Sequence, residues 1–72
     1  MEKIGIIGLG LIGGSMGLAL RKLNYTVYGF DKDELNQKKA LKNGLVDEIQ
    51  SMEELIKKTQ VIFLAVPVDA II

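Results

Sequence analysis

The stretch GLGLIGGS, residues 8–15, decides the fold of this 72-residue chain. It follows a short apolar run, IGII at residues 4–7, and it precedes apolar residues at helical spacing that continue to Leu23. Glycine inside a helix costs roughly 1 kcal/mol relative to alanine, so a glycine cluster at a helix start needs another physical reason. A buried strand, a glycine-rich turn and a helix in this order predict the opening of a parallel α/β sheet.

Three of the glycines have the spacing G-x-G-x-x-G, which is typical of dinucleotide-binding turns. Gly8 allows a tight turn out of the strand, Gly10 leaves room for a pyrophosphate, and Gly13 lets the helix lie close to the first strand. The backbone N–H groups near Leu11 and Ile12 have no partner at the helix start, where the helix dipole is positive. We therefore predict that these two residues bind phosphate through their backbone.

Two further residues of the turn have less specific interpretations. Gly17 lies on the same helical face as Gly13 and is sufficiently explained by close packing. Ser15 lies in the first helical turn, where it either supports the phosphate loop or is an ordinary helix-start serine.

The rest of the chain continues the alternation of strands and helices. Further strands are predicted at 26–30, 46–49 and 61–66, and further helices at 33–43 and after Ser51, with Leu55 and Ile56 as the buried side of the last helix. The resulting order β-α-β-α-β-α-β predicts a Rossmann-type α/β fold, a parallel sheet with helices on both faces, of which this is the first half. We expect residues 1–72 to be the N-terminal portion of a dinucleotide-binding domain whose remainder follows.

Asp31 is the acid that this fold places at the tip of the second strand, close to the fingerprint's usual spacing of ~20 residues. Its carboxylate can accept hydrogen bonds from both hydroxyls of an adenine ribose and would repel a 2′-phosphate, which favours NAD over NADP. Asp31 and Glu34 also have capping-box spacing, so Asp31 can instead cap a helix, a role that Asp33 can take over. The neighbouring cation Lys32 could tolerate a 2′-phosphate, but its preferred interpretation is a solvated surface lysine.

The end of the fourth strand is the second candidate contact with a ligand. In this fold, ligands bind beyond the carboxyl ends of the strands, near the first strand. Ala65, Val66 and Pro67 can therefore line the ribose or adenine side of the crevice. The alternative is a strand end followed by a proline at the first position of a helix.

Composition excludes several other classes of function. Nine basic and nine acidic residues balance, so we expect no nucleic-acid partner and no membrane partner. The chain has no cysteine, which fits a cytoplasmic location, and no histidine, which is the commonest general acid or base near neutral pH. Tyr25 and Tyr28 are assigned to packing, and Asp47 and Glu48 to the solvated surface.

Four segments together resemble the N-terminal part of the prephenate dehydrogenase family: IGIIGLGLIGGS, VYGFDKD, KNGLVDEI and VIFLAVPV. The doubled glycine and serine of GLGLIGGS are the most specific piece, since related 6-phosphogluconate and β-hydroxyacid dehydrogenases more often show GLGxMG. The resemblance spans essentially the whole chain and less than half of a typical family member.

The resemblance implies oxidative decarboxylation of prephenate to 4-hydroxyphenylpyruvate with NAD, in tyrosine biosynthesis. It also implies a later helical domain that forms a homodimer and supplies a histidine and an arginine for catalysis. No residue of this chain takes those roles, so we expect these 72 residues alone to be inactive. Two alternatives stay open: a dehydrogenase of arogenate or another small hydroxy acid, and a non-catalytic dinucleotide-binding module.

Overall fold

The computed structural model describes residues 2–66 of the chain. Its elements in chain order are β1 (Lys3–Ile7), α1 (Leu11–Lys22), β2 (Thr26–Phe30), α2 (Glu34–Lys42), β3 (Glu48–Ile49), α3 (Met52–Lys58) and β4 (Val61–Leu64). The four strands form one parallel sheet in the order β3-β2-β1-β4. The predicted first half of a Rossmann-type fold is thereby confirmed.

The strand order places a switch point beside β1. The chain adds β2 and then β3 on one side of β1, and then returns to add β4 on the other side. The residues that follow β1, β2 and β4 consequently meet at one edge of the sheet, where this class of fold binds its ligands.

Helices cover both faces of the sheet, as predicted. On one face, the side chain of Ile6 packs with Val27 and Val46 in the buried core, together with Ala40 of α2 and Met16 of α1. Successive residues of a strand point to opposite faces, so Gly5 faces the other way. Gly5 lies directly against Leu55 and Thr59, the fully buried and half-buried residues of the α3 segment.

The ends of the helices follow the local sequence closely. Asn24 and Gly44 take the left-handed conformation after α1 and α2, with φ of 70° and 69°. Ser51 caps α3, where its Oγ accepts a hydrogen bond from the Glu54 N–H at 3.2 Å. One expectation for α3 is wrong: Leu55 is fully buried, but Ile56 is 54% exposed, because one helix of seven residues turns only a narrow stripe toward the sheet.

Two strands are shorter than the segments 46–49 and 61–66 that were predicted for them. The third contains only Glu48 and Ile49, because Val46 is buried against the core before pairing with β2 begins. The fourth ends at Leu64, where its ladder with β1 ends.

Asp47 is not the freely solvated residue that the sequence suggested. Its carboxylate accepts a hydrogen bond from the Val27 N–H at 2.7 Å and forms an ion pair with Arg21 at 3.1 Å. Arg21 also donates to the carbonyl of Gly44 at 2.6 Å. The end of α1 is thus joined to the segment that leads into β3.

β4 forms one edge of the described sheet, and its four residues are exposed. They are all apolar, and Leu64 is 67% exposed. Uncharged edge strands of this kind offer unpaired backbone groups to another strand. Within residues 2–66 no helix has the length and apolar character needed to cross a membrane.

Candidate dinucleotide-binding site

The turn between β1 and α1 has the backbone geometry that its glycines predict. Gly8 has a φ of +102°, a conformation that side chains rarely adopt, and its N–H donates to the Phe30 carbonyl at 2.8 Å. Gly10 is the N-cap of α1 and contributes no side-chain hydrogen bond to it. A Cβ at Gly10 would meet no atom within 4 Å, so this position borders open space. The turn therefore leaves room for a group that approaches the start of α1.

Gly13 holds α1 against the turn that precedes it. A Cβ at Gly13 would collide with the carbonyl oxygen of Gly8 and would lie 3.2 Å from the Cβ of Ala65. A Cβ at Gly17, which lies on the same face of α1, would collide with the carbonyl oxygen of Leu45. Both positions thus require glycine for packing, and Gly13 sets the distance between the start of α1 and the ends of β1 and β4.

Leu11 and Ile12 form the first turn of α1 with their side chains in solvent, at 89% and 73% exposure. Their N–H groups belong to the first four of the helix, which have no acceptor inside it. No acidic side chain lies in this first turn. The predicted phosphate-binding groups are therefore placed at an open helix end with positive potential.

Asp31 follows β2 and is held from three sides. Its Oδ2 accepts a hydrogen bond from the Leu9 N–H at 2.7 Å and another from Asn36 Nδ2 at 3.2 Å. Its Oδ1 accepts from the Asp33 N–H at 2.8 Å. Asp33, and not Asp31, caps α2 by accepting from the Leu35 N–H at 2.9 Å. The choice between the two aspartates as helix cap is thus decided in favour of Asp33.

These contacts keep the Asp31 carboxyl group ionised. Partial burial raises its pKa, but the hydrogen bonds from the backbone of Asp33 and Leu9 and from Asn36 lower it, as does the charge of Lys32. The lowering contributions prevail, and the pKa of Asp31 lies below the ordinary value for an aspartate. Asp31 therefore acts only as an acceptor at neutral pH.

Two adjoining cavities lie at this edge of the sheet. The first, of about 510 Å³, has Asp31, Lys32, Asp33 and Asn36 on its polar side and Ile7, Gly8, Gly10, Phe30, Met52, Ala65 and Val66 on the remainder. The second, of about 600 Å³, is lined by Gly10, Leu11, Ile12, Leu64, Ala65 and Val66. Both include Gly10, so they meet at the start of α1. Val66 lines both, and Pro67 lies outside the described residues.

The residues fit a dinucleotide. The uncapped start of α1, beside a glycine that borders open space, can accommodate a pyrophosphate. The first cavity, with a carboxylate on its wall, can accommodate one nucleoside. The second cavity, on the β4 side of the turn, has room for the other nucleoside. The described residues hold no group of three or more acidic, histidine or cysteine side chains for a metal ion.

Leu9, Asn36 and Met52 are among the residues of this site that were not predicted from the sequence. Leu9 is 5% exposed and belongs to the core, although it lies inside the glycine turn. Asn36 and Met52 line the first cavity from α2 and α3. The alternation of glycine and leucine within the turn is consistent with a buried Leu9. No local sequence pattern identifies Asn36 or Met52, because their positions at the cavity depend on how α2 and α3 pack.

Comparison with known proteins defines the class. The family model described as the NAD binding domain of 6-phosphogluconate dehydrogenase matches residues 3–72. The chain therefore belongs to this family of NAD-binding domains, and the predicted cofactor, NAD, is confirmed at that level.

Within this class, the chain is similar to dehydrogenases of prephenate and arogenate. It is 42% identical to the prephenate dehydrogenase of Lactococcus lactis subsp. cremoris (strain MG1363), over 96% of this chain and 20% of that protein. The crystal structure of Synechocystis arogenate dehydrogenase shows 36% identity and a TM-score of 0.86, over 96% of this chain and 25% of that one. Prephenate dehydrogenase from A. aeolicus, in complex with hydroxyphenyl propionate and NAD+, shows 28% identity and a TM-score of 0.84, over 99% and 26%.

These similarities confirm the resemblance to the N-terminal NAD-binding part of prephenate dehydrogenases. The chain spans about a fifth to a quarter of the length of the relatives.

Proposed function

We propose that this chain is the NAD-binding part of a prephenate dehydrogenase, which oxidatively decarboxylates prephenate to 4-hydroxyphenylpyruvate. The observation that carries the proposal is the pairing of an uncapped helix start at Gly10 with an ionised Asp31 at the end of the neighbouring strand. The identity of 42% to a prephenate dehydrogenase supports the choice of reaction. Bound NAD would supply the hydride acceptor for that reaction, in which the carboxyl group of the substrate is lost as carbon dioxide.

The residues of this chain bind and orient the cofactor. The N–H groups of Leu11 and Ile12 bind the pyrophosphate, and Gly10 allows its close approach. Asp31 accepts a hydrogen bond from the adenine ribose and repels a 2′-phosphate, so NAD is preferred to NADP. Val66 contributes an apolar wall on either side of the turn.

The chemical step needs groups that these 72 residues do not include. The sequence has no histidine, and its single arginine, Arg21, is bound to Asp47 and Gly44 at the opposite end of α1. We therefore expect the chain alone to bind NAD without turning over prephenate. Incubation of the purified chain with prephenate and NAD, followed by NADH absorbance, tests this, and measurable turnover would contradict it.

Further parts of the proposal concern the whole protein. We expect a second, helical domain that makes it a homodimer and completes the substrate site, and a cytoplasmic location. The alternative substrate is arogenate, which the similarity to the Synechocystis enzyme favours. Steady-state assays of the whole protein with prephenate and with arogenate decide between the two substrates.

The NAD site itself is tested by Asp31→Ala. Loss of a charged acceptor from a ribose hydroxyl should weaken NADH binding by about 10-fold to 100-fold. NADPH binding should be unchanged or stronger, because the carboxylate that repels its phosphate is gone. Calorimetric titration with both cofactors measures this.

Two further variants complete that experiment. Asp31→Asn keeps the side-chain volume and separates loss of charge from loss of packing, and Glu53→Ala on α3, which lines neither cavity, is the control. Titration curves for Asp31→Ala that match those of the unsubstituted chain with both cofactors would remove Asp31 from the cofactor site.

A further inference from the structure

Asn36 has a position in the first cavity that NAD binding through the turn and Asp31 does not explain. It lies in the first turns of α2, it is half-buried, and it lines the cavity beside Asp31. Its Nδ2 donates to Asp31 Oδ2 at 3.2 Å. The sequence around it has no cofactor motif, so its role has to be inferred from this contact.

The hydrogen-bond capacity of Asp31 is nearly exhausted by the protein. An ionised carboxylate offers about four acceptor positions. Leu9 and Asn36 occupy two of them at Oδ2, and the Asp33 N–H occupies one at Oδ1. About one position at Oδ1 is left for a ligand. Asp31 therefore cannot accept from both hydroxyls of a ribose while it keeps these three partners.

Asn36 supplies an additional acceptor at the same place. A carboxylate only accepts, so the amide nitrogen of Asn36 must be the atom that faces Asp31. The carbonyl Oδ1 then points away from the carboxylate, because both atoms are bonded to the same planar carbon. Among residues 2–66 no hydrogen bond reaches this Oδ1, and no buried side-chain oxygen or nitrogen there lacks a partner, so the atom is accessible.

We propose that Asn36 is a second specificity-determining residue, which reads the adenine ribose together with Asp31. Asp31 Oδ1 accepts one ribose hydroxyl, and Asn36 Oδ1 accepts the other. This inference rests on the proposed NAD site and assigns the second contact to a residue of α2. Two acceptors, one on each residue, favour a diol and disfavour a 2′-phosphate, which also has only acceptors to offer near neutral pH.

The charged neighbours of the cavity do not provide this selectivity. Among residues 2–66, Lys32 and Asp33 are the other charged residues on its wall, and they have opposite signs. The β1–α1 turn, α3 and the end of β4 contribute no charged side chain to it. The choice between hydroxyl and phosphate therefore depends on the Asp31 and Asn36 oxygens.

Ligands that lack one hydroxyl test the proposal directly. Binding of ADP, 2′-deoxy-ADP and 3′-deoxy-ADP is measured by calorimetry for the unsubstituted chain and for Asn36→Leu, which has similar volume and no polar atom. Removal of either hydroxyl should weaken binding to the unsubstituted chain by about fivefold or more. In Asn36→Leu, removal of one of the two hydroxyls should weaken binding by less than about twofold, because its acceptor is already gone. The ratio of the NADPH to the NADH dissociation constant should also fall by about threefold or more in this variant.

Gln37→Leu is the matched control. Gln37 is the next residue of α2, and its Oε1 accepts from the Asp31 N–H at 3.2 Å, so it contacts the Asp31 backbone and not the carboxylate. If the substitutions act only through the packing of α2, they should change the affinities of both variants in the same way. The proposal instead requires that removal of either ribose hydroxyl still weakens binding to Gln37→Leu as it does for the unsubstituted chain. If Asn36→Leu does not fold, Asn36→Ala, which also has no polar side-chain atom, is measured by the same criteria.

The results separate the inference from the proposed function. A folded, unsubstituted chain that binds neither NADH nor ADP would overturn the NAD site itself. An unsubstituted chain that binds both, combined with an Asn36 variant that keeps both hydroxyl losses in full, would overturn the role of Asn36 and leave the NAD site in place.

Discussion

The helix starts of this small domain differ in what satisfies their first N–H groups. α2 begins at Asp33, whose carboxylate accepts from the Leu35 N–H, and α3 begins at Ser51, whose hydroxyl accepts from the Glu54 N–H. α1 begins at Gly10, which has no side chain to offer. The two capped helices each have acidic residues in the first turn, and α1 has none.

This difference shows which helix end is available for an anion. A capping side chain and a nearby carboxylate satisfy a helix start and repel negative charge, whereas a glycine cap does neither. The same glycine costs little in stability relative to a side-chain cap, a few tenths of a kcal/mol. α1 is therefore open to a pyrophosphate at a small cost to the fold.

Displacing the open helix start should have the largest effect. In Gly13→Ala the new methyl group would collide with the backbone of Gly8, which cannot move without disturbing β1. We expect the free energy of unfolding to fall by at least about 3 kcal/mol. Chemical denaturation measures this, with the exposed Ser15→Ala as control in the same helix. An unfolding midpoint for Gly13→Ala equal to that of the control would show that α1 tolerates a wider spacing.

Capping α1 as α2 is capped should remove the difference between them. The backbone of Gly10 is extended, with φ −73° and ψ −158°, so Gly10→Asp introduces no strain. The free energy of unfolding should stay the same or rise by up to about 1 kcal/mol. NADH binding should weaken by about 100-fold, or ~2.7 kcal/mol, because the carboxylate would occupy the position proposed for the pyrophosphate.

Fluorescence titration with NADH and thermal unfolding of the same sample test the two halves of that prediction together. Gly10→Ala is the intermediate case, since its methyl group enters open space without charge. Retained NADH affinity in Gly10→Asp would place the pyrophosphate elsewhere.

Removing the cap of α3 should have the opposite pair of effects, a lower stability and an unchanged NADH affinity. Ser51→Ala removes the acceptor of the Glu54 N–H and should lower the free energy of unfolding by about 1 kcal/mol. NADH affinity should not change, because Ser51 lines neither cavity. Denaturation and calorimetry provide the two measurements, and a loss of NADH affinity that exceeds the unfolded fraction would argue against separate roles for the two helix starts.

The smallest expected effect is the contribution of Asp31 to the pH dependence of stability. Its pKa is lowered in the folded chain, so the ionised carboxylate stabilises the fold above the ordinary aspartate pKa of about 3.9. That contribution is lost as the pH falls from there through the lower folded value. The unfolding midpoint of Asp31→Asn should accordingly fall less on acidification than that of the unsubstituted chain. An identical pH dependence, with Glu53→Gln as control, would contradict it.

The order of elements and the roles of the turn glycines could be predicted because they depend on neighbours in sequence. Strand, turn and helix periods define the fold class, and Gly8 and Gly13 have the strained backbone and the close contact that the fingerprint requires. Contacts between distant segments could not be predicted. The exposure of Ile56 and the ion pair of Asp47 with Arg21 depend on helix orientation, which periodicity leaves open.

The same distinction between sequence neighbours and distant contacts applies to the candidate site. Asp31 was found from its position after a strand, but its three donors come from the β1–α1 turn, the start of α2 and Asn36. Only the folded chain shows that these donors leave little acceptor capacity for a ligand. The sequence therefore predicted that Asp31 follows the second strand at the edge of the candidate site, but not how many hydroxyls its carboxylate can accept.

Leu9 has a consequence for the thermodynamics of binding. Its side chain packs in the core with Ile6 and Val27, while its own backbone lies in the turn that faces the ligand. The turn is therefore preorganised, since its conformation cannot relax unless Leu9 leaves the core. Binding then has little loop entropy to remove, so more of the interaction energy with the pyrophosphate remains as affinity. A turn built mainly of glycine, the most flexible residue, is thus made rigid by the one leucine between its first two glycines.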